Sequence, residues 1–210
     1  MKKNIYIAIT AVLLVSCGGK VPEAVDLGLS VRWASFNIGA KTPEGYGDYY
    51  AWGETEPKNN YISKTYKWCN GSWEFFTKYN SDNEYGAVDN KVILEPEDDV
   101  AHVKLGGKWR MPTDEEWTEL RTQCKWTWTT EKGVKGFKVT GKNDNSIFLP
   151  VAGGRGGVED NSAGSYGLYW SSSLGTDGPR FAWFVGFSSG EVVRLFNHRC
   201  YGLSVRPVLE

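Results

Sequence analysis

The stretch SYGLYWSSSLG, Ser165 to Gly175, decides how this chain is read. Three consecutive hydroxyls beside Tyr169 and Trp170 fit an active-site nucleophile, a ring surface for a ligand, or a strand that packs. A hydrolase needs a base, and the chain offers only His102 and His198. The nearest approach to a nucleophile elbow, Gly202-Leu203-Ser204-Val205-Arg206, lacks its final glycine and lies in a strand pattern. The surroundings repeat alternation and turn signals, so the stretch is expected to be a strand.

Outward from it, the C-terminal half reads as strand and turn. KWTWTT alternates Trp126 and Trp128 with threonine, EKGVKG turns, FKVTG alternates Phe137 and Val139, and SIFLPVA is a continuous apolar run. RFAWFVGFSSG, EVVRLFN and LSVRPV follow. In Phe181–Phe187 the residues Phe181, Trp183, Val185 and Phe187 share one face and Ala182, Phe184 and Gly186 the other, a pattern that predicts cover on both sides. GGRGG at 153–157 lacks the setting and the lysine of a phosphate loop and reads as flexible.

Upstream, two short helices are expected. In EPEDDVAHVKLGG, Pro96 suits a first helical position, the acids complement the dipole and Gly106 stops the helix, with Val100, Val103 and Leu105 facing inward. In MPTDEEWTELRTQC, Thr113 and Glu116 form a capping box, and Trp117, Leu120 and Cys124 share a stripe. Leu29–Ala34 alternates as a half-buried strand. From Pro57 to Asn90 the pattern is weak and predicts surface loops pinned by Tyr66, Trp68, Trp73, Phe75 and Phe76.

The chain opens with Met1-Lys2-Lys3 and an apolar run from Ile5 to Val15, too short to span a bilayer. Leu14-Val15-Ser16-Cys17 resembles the lipobox of bacterial lipoproteins. The expected organisation is therefore a signal peptide over 1–16, a lipid on Cys17, a tether over 17–25 and a single domain over 26–210. Removing residues 1–16 leaves 22 basic and 25 acidic residues, a formal charge of −3. That balance offers no footprint for nucleic acid, and the lipid is the only membrane attachment implied. Cys69, Cys124 and Cys200 allow at most one disulfide; three inert thiols are the alternative.

Chemistry is sparse. There is no C-x-x-C or H-x-x-x-H, two histidines do not build a zinc centre without several carboxylates, and no metal or cofactor is expected. The run Glu95, Glu97, Asp98, Asp99 suits a helix start better than calcium. What stands out is ten Trp, eleven Tyr and nine Phe among 25 Gly, the composition of binding surfaces and of irregular cores alike. Trp33, Trp109, Trp117, Trp126 and Trp170 lie in patterned elements and are assigned to the core.

WRMPTDEEWTEL at 109–120 resembles a segment of the formylglycine-generating-enzyme type of C-type lectin fold. LGLSVRWASFNIGAKTPEGYGDYYAWGE, YGLYWSSS and GLSVRPV resemble the Fibrobacter succinogenes major paralogous domain, abundant in lipoproteins of Bacteroides-like bacteria. The resemblance implies an α+β, loop-rich domain with two short helices packed on a twisted antiparallel sheet, its N- and C-terminal strands paired and Trp170 and Arg206 as framework. The enzyme's pair of cysteines five positions apart is missing, because Leu195 and Val205 stand at those distances from Cys200. The Trp-Asn-Asp calcium and sugar triplet of animal C-type lectins has no counterpart.

A third branch of the fold comprises receptor-binding proteins whose stretch before the closing strand is exposed and variable. Here that stretch is GEVVRLFNHRCYGL, 190–203. The expectation is an outer-membrane lipoprotein, on the periplasmic face or at the cell surface, acting as a non-enzymatic binding module for a glycan or protein, through Arg180, Trp183, Arg194, Phe196, Asn197, His198, Arg199 and Tyr201. The alternatives are a metal-assisted oxidase or hydrolase using Cys200 and His198, and an architectural envelope protein that binds sister molecules.

Overall fold

The computed structural model describes residues 20–210. The expected signal peptide over 1–16 and the expected lipidation residue Cys17 lie outside the described residues. Among the described residues no helix is long and apolar enough to cross a membrane.

The chain is α+β and loop-rich, beginning with β1 (Ala24–Val25), β2 (Arg32–Ala34), α1 (Val100–Leu105), β3 (Trp109–Arg110) and α2 (Asp114–Gln123). Then follow β4 (Lys125–Glu131), β5 (Val134–Thr140), β6 (Ser146–Pro150), β7 (Gly154–Gly156), β8 (Glu159–Asn161) and β9 (Gly167–Leu174). β10 (Phe181–Ser188), β11 (Glu191–His198), β12 (Gly202–Leu203) and β13 (Val208–Leu209) complete it. The named strands form four small sheets rather than one, ordered β1-β2-β13-β3, β11-β10-β9, β12-β7-β8 and β4-β5-β6, and every pairing within them is antiparallel. N- and C-terminal segments meet where Val208 opposes Trp33.

Both helices form, with corrected details. Pro96–Asp98 makes a 3-10 turn, and Asp99 then caps α1 by accepting from the amides of Ala101 and His102 while also holding Met111 N–H at 2.7 Å. One carboxylate thus ties the helix start to the strand beyond it. Val100 is buried, whereas Val103 is 46% exposed because a six-residue helix has room for only a narrow inward stripe. The Thr113–Glu116 capping box is complete on α2, and Trp117 and Leu120 are fully buried.

Sheet β9-β10-β11 separates two cores. On one side Tyr169, Val185 and Phe187 pack with α2 and with sheet β4-β5-β6; on the other Trp170, Ala182 and Phe184 pack with Trp52, Tyr79 and Val100. Tyr169 to Leu174 is buried throughout, so YWSSS crosses the core as a strand. A third cluster, of Tyr49, Tyr61, Tyr66, Cys69, Phe76 and Cys200, lies under the 57–90 loops. Tyr66 and Phe76 pin those loops, but Phe75 is exposed.

The aromatic load also answers a hydrogen-bonding demand. A chain with so much loop must satisfy buried carbonyls outside helix and sheet ladders. Tyr49 Oη donates to Ala152 O (2.5 Å), Tyr61 Oη to Tyr49 O (2.6 Å), Tyr66 Oη to Trp52 O (2.7 Å) and Trp170 Nε1 to Tyr50 O (2.9 Å). Each ring fills volume and its polar atom closes a loop. Arg206 does the same at larger scale. Fully buried, it donates to Asn37 Oδ1, Ala34 O and Phe148 O at 2.8–2.9 Å, and burial pulls its pKa down to about 10.

Candidate ligand-binding surface

The β10–β11 hairpin closes at Ser188 opposite Glu191 and runs in unbroken register to Phe181 opposite His198. Opposed residues share a face, so Phe181 with His198, Trp183 with Phe196, and Val185 with Arg194 form one row. Its Val185 end lies against α2. Asp114, the first residue of α2, takes Arg194 Nε at 2.7 and 2.9 Å and Nη2 at 2.6 Å. Past Asp114 the row is open: Phe181 and Trp183 are half-buried and Phe196 is 38% exposed.

The open rings touch edge to face or tilted. Centroids are 5.6 Å apart for Trp183–Phe196, 5.2 Å for Phe181–Phe196 and 4.7 Å for Phe181–His198. The Arg194 guanidinium lies 3.5 Å above the Trp183 ring, held there by Asp114. Hydrogen bonds to Asp114 raise the Arg194 pKa, so its charge is permanent. Arg180 hydrogen-bonds Tyr85 Oη and sits 4.7 Å over that ring. His198 is wedged against Trp73 at 4.6 Å, and burial, then Arg180, hold its pKa below the usual 6.5.

Behind the end of the hairpin lies a cleft of about 560 Å³ lined by Tyr61, Trp73, Arg155, Leu168, Asn197 and Tyr201, among others. Glycine shapes its floor: a Cβ on Gly202 would stand 2.6 Å from the Tyr61 ring, and one on Gly154 2.8 Å from Leu203. GGRGG is therefore not flexible, since 154–156 form β7 between β8 and β12.

The structure brings Arg180, Trp183, Arg194, Phe196 and His198 together at the open row, and puts Asn197 and Tyr201 on the cleft. Arg199 is a correction. It is 0% exposed, donating to Tyr66 Oη, Tyr79 O, Pro179 O and Lys78 O and ringed by Trp52, Tyr66, Phe76 and Tyr79. The loop carbonyls of the least regular third of the chain need donors, and Arg199 supplies them. β10 is also less covered than its composition implies, because α2 begins only at Asp114 and does not reach over Phe181 and Trp183. Phe181 therefore joins the surface, as its i, i+2 relation to Trp183 foretells. Trp73 had no such signal, lying 125 residues from His198 in a loop without periodicity.

Other candidate chemistry is spent on structure. Ser171 Oγ donates to Trp183 O and Ser173 Oγ accepts from Asp114 N. Cys69, Cys124 and Cys200 are free thiols; burial pushes Cys200 up to about 12, so no thiolate is ready there. Glu95, Glu97 and Asp98 converge, but Lys78 lies 2.5, 3.3 and 2.6 Å from them and Lys67 and Lys91 bind the same group. Lysine ammonium groups fill the place a cation would take. Searches of family models, of curated proteins and of solved structures returned no match to this chain.

Proposed function

We propose that this chain is a lipid-anchored, extracytoplasmic binding module that holds its ligand without covalent chemistry, on a domain of the C-type-lectin-like, formylglycine-generating-enzyme type. The fold assignment is supported by the sequence resemblance, by the paired terminal segments and by two short helices among antiparallel strands. One observation carries the functional reading: the row Phe181, Trp183, Phe196 stays open to solvent beside a cleft, on rings locked by Arg194 and α2. Rigid rings give contact area at small entropic cost.

The ring geometry favours a polypeptide over a sugar. Stacking on a pyranose needs an open, flat ring face, whereas these rings meet at 58° and 78° and Arg194 occupies one face of Trp183. A ridged apolar patch suits side chains of a protein partner. Protein and glycan arrays probed with the purified protein and with a Trp183→Ala, Phe196→Ala, Tyr201→Ala variant test this. Capture of a protein by the parent alone is the expected result; equal capture by both rejects the surface, and capture of glycans alone rejects the partner class. Anchoring is read separately: Cys17→Ser is expected to release the protein from the outer-membrane fraction.

A further inference from the structure

β11 is the outer strand of its sheet, with β10 on one side only. Edge strands bare unpaired N–H and C=O groups, and proteins blunt them with proline, lysine, bulges or short length. β11 uses none of these devices: its eight residues, EVVRLFNH, pair with β10 without a register shift. Its one cation, Arg194, is drawn to Asp114 of α2.

Alternation tells which groups are free. Arg199 N donates to Arg180 O across the hairpin, so that pair is hydrogen-bonded. Val193, Leu195 and Asn197 then turn their amides toward β10, and Val192, Arg194, Phe196 and His198 turn theirs outward. His198 is already closed, its N–H on Asn197 Oδ1 at 2.8 Å and its carbonyl on Tyr201 N at 3.0 Å. The usable edge is Val192 to Phe196, flanked by Leu195 at 48% exposure on one face and Phe196 on the other.

We propose that this edge pairs antiparallel with the same edge of a second copy, about a two-fold axis through Leu195. The register follows from charge and burial. An axis at Arg194 sets Arg194 against its own copy, an axis at Phe196 sets Arg194 against the closed His198, and an axis at Val193 leaves Leu195 and Phe196 uncovered. The Leu195 axis puts Arg194 opposite Phe196 of the second copy twice, each pair exchanging both backbone hydrogen bonds. The second ring then covers a guanidinium that Trp183 already faces at 3.5 Å and whose side chain is still 35% exposed. Leu195 meets its own copy on the other face. The product is a six-stranded sheet displaying both ring rows on one side, an isologous contact that closes on itself.

On the axis, Leu195 and its copy form a non-hydrogen-bonded pair with Cα atoms about 4.5 Å apart, within the roughly 4.4–6.8 Å a disulfide spans. Full-length Leu195→Cys, treated with a mild oxidant, is expected to convert mostly to a disulfide dimer on non-reducing gels. Val193→Cys and Asn197→Cys should each stay at the background set by the wild type, while their equimolar mixture cross-links, because those positions oppose each other. By light scattering the wild type should dimerise with rising concentration. Leu195→Lys should remain monomeric with the thermal midpoint of the dilute, monomeric wild type, which shows that it folds. A wild type monomeric throughout with Leu195→Cys at background overturns the dimer, and faster cross-linking of Val193→Cys than of Leu195→Cys overturns the register. Leu195→Lys retains the open rings, so failure of pairing and failure of ligand capture are read apart.

Discussion

Replacing Arg199 by alanine separates a buried staple from a surface contact. The side chain makes four hydrogen bonds, to Tyr66 Oη at 2.9 Å, Pro179 O at 2.7 Å, and Tyr79 O and Lys78 O at 3.1 Å. Each buried acceptor left unpaired costs about 1–3 kcal/mol, reduced where the loop relaxes to water. Hydrogen bonds from a charged donor contribute about 1.5–3 kcal/mol each, and four on one side chain do not add in full. We take about 4 kcal/mol, a large part of a total stability of about 5–15 kcal/mol. With a urea slope of about 2 kcal/mol/M, the midpoint should fall by about 2 M. Arg199→Met keeps most of the volume and no donor, and should lose nearly as much; Arg199→Lys keeps the charge without the fork and should fall between. Hydrogen exchange should quicken first in the loops between Tyr66 and Tyr79. A loss under about 1 kcal/mol for Arg199→Ala, the range of an exposed substitution, would refute the staple.

Three further outcomes follow from single groups. Because the folded-state pKa of His198 lies below 6.5, the unfolded chain binds the extra proton first, so stability contributed by the neutral ring is present above about pH 6.5 and lost as pH falls through the folded value. The thermal midpoint of His198→Gln should therefore decline less between pH 7.5 and 5 than that of the parent, and equal slopes would exclude the effect. Iodoacetamide at pH 8 should modify half-buried Cys124 first and reach buried Cys69 and Cys200 only in urea, as peptide mass mapping reads directly. Gly202→Ala should cost about 1–3 kcal/mol by overpacking, since its Cβ meets the Tyr61 ring at 2.6 Å, whereas Gly190→Ala, with open space around it, should be near neutral in the same urea titration.

The elements with strong local signals were legible. The capping box at Thr113, the alternation of Phe137 with Val139 and the run Ile147–Leu149 each became the element their residues predict. LSVRPV misled because its alternation is interrupted: Ser204–Pro207 lies between β12 and β13, where the chain spends its backbone on Leu168, Trp170, Ile38 and Ala34 and its Arg206 on three more acceptors. Likewise GGRGG reads as flexible only while its neighbours are unknown. Close approach of Leu203 and Gly202 demands glycine there, and nothing local announces it.

At the candidate surface the structure places the residues named from the sequence at one open row and its cleft, except Arg199, which is buried, for a physical reason. Arg194 and Arg199 are five residues apart, in one stretch of similar composition, and both lie over aromatic rings. Arg194 pairs with a carboxylate at the rim of α2, so its charge is matched at the surface and one face of its guanidinium stays open. Arg199 has no carboxylate among its hydrogen-bond partners; three loop carbonyls and a phenol surround it instead. Those acceptors come from residues 66–79 and 179, which no sequence window joins to 199. Whether an arginine reaches outward or holds loops inward is decided by where unsatisfied carbonyls gather, a property of the closed fold and not of the strand that carries it. The same closure explains why the rings before it remain outside: once Arg199 locks the loops beneath β11, His198 and Tyr201 are fixed at the boundary, and Phe196 has no core left to enter.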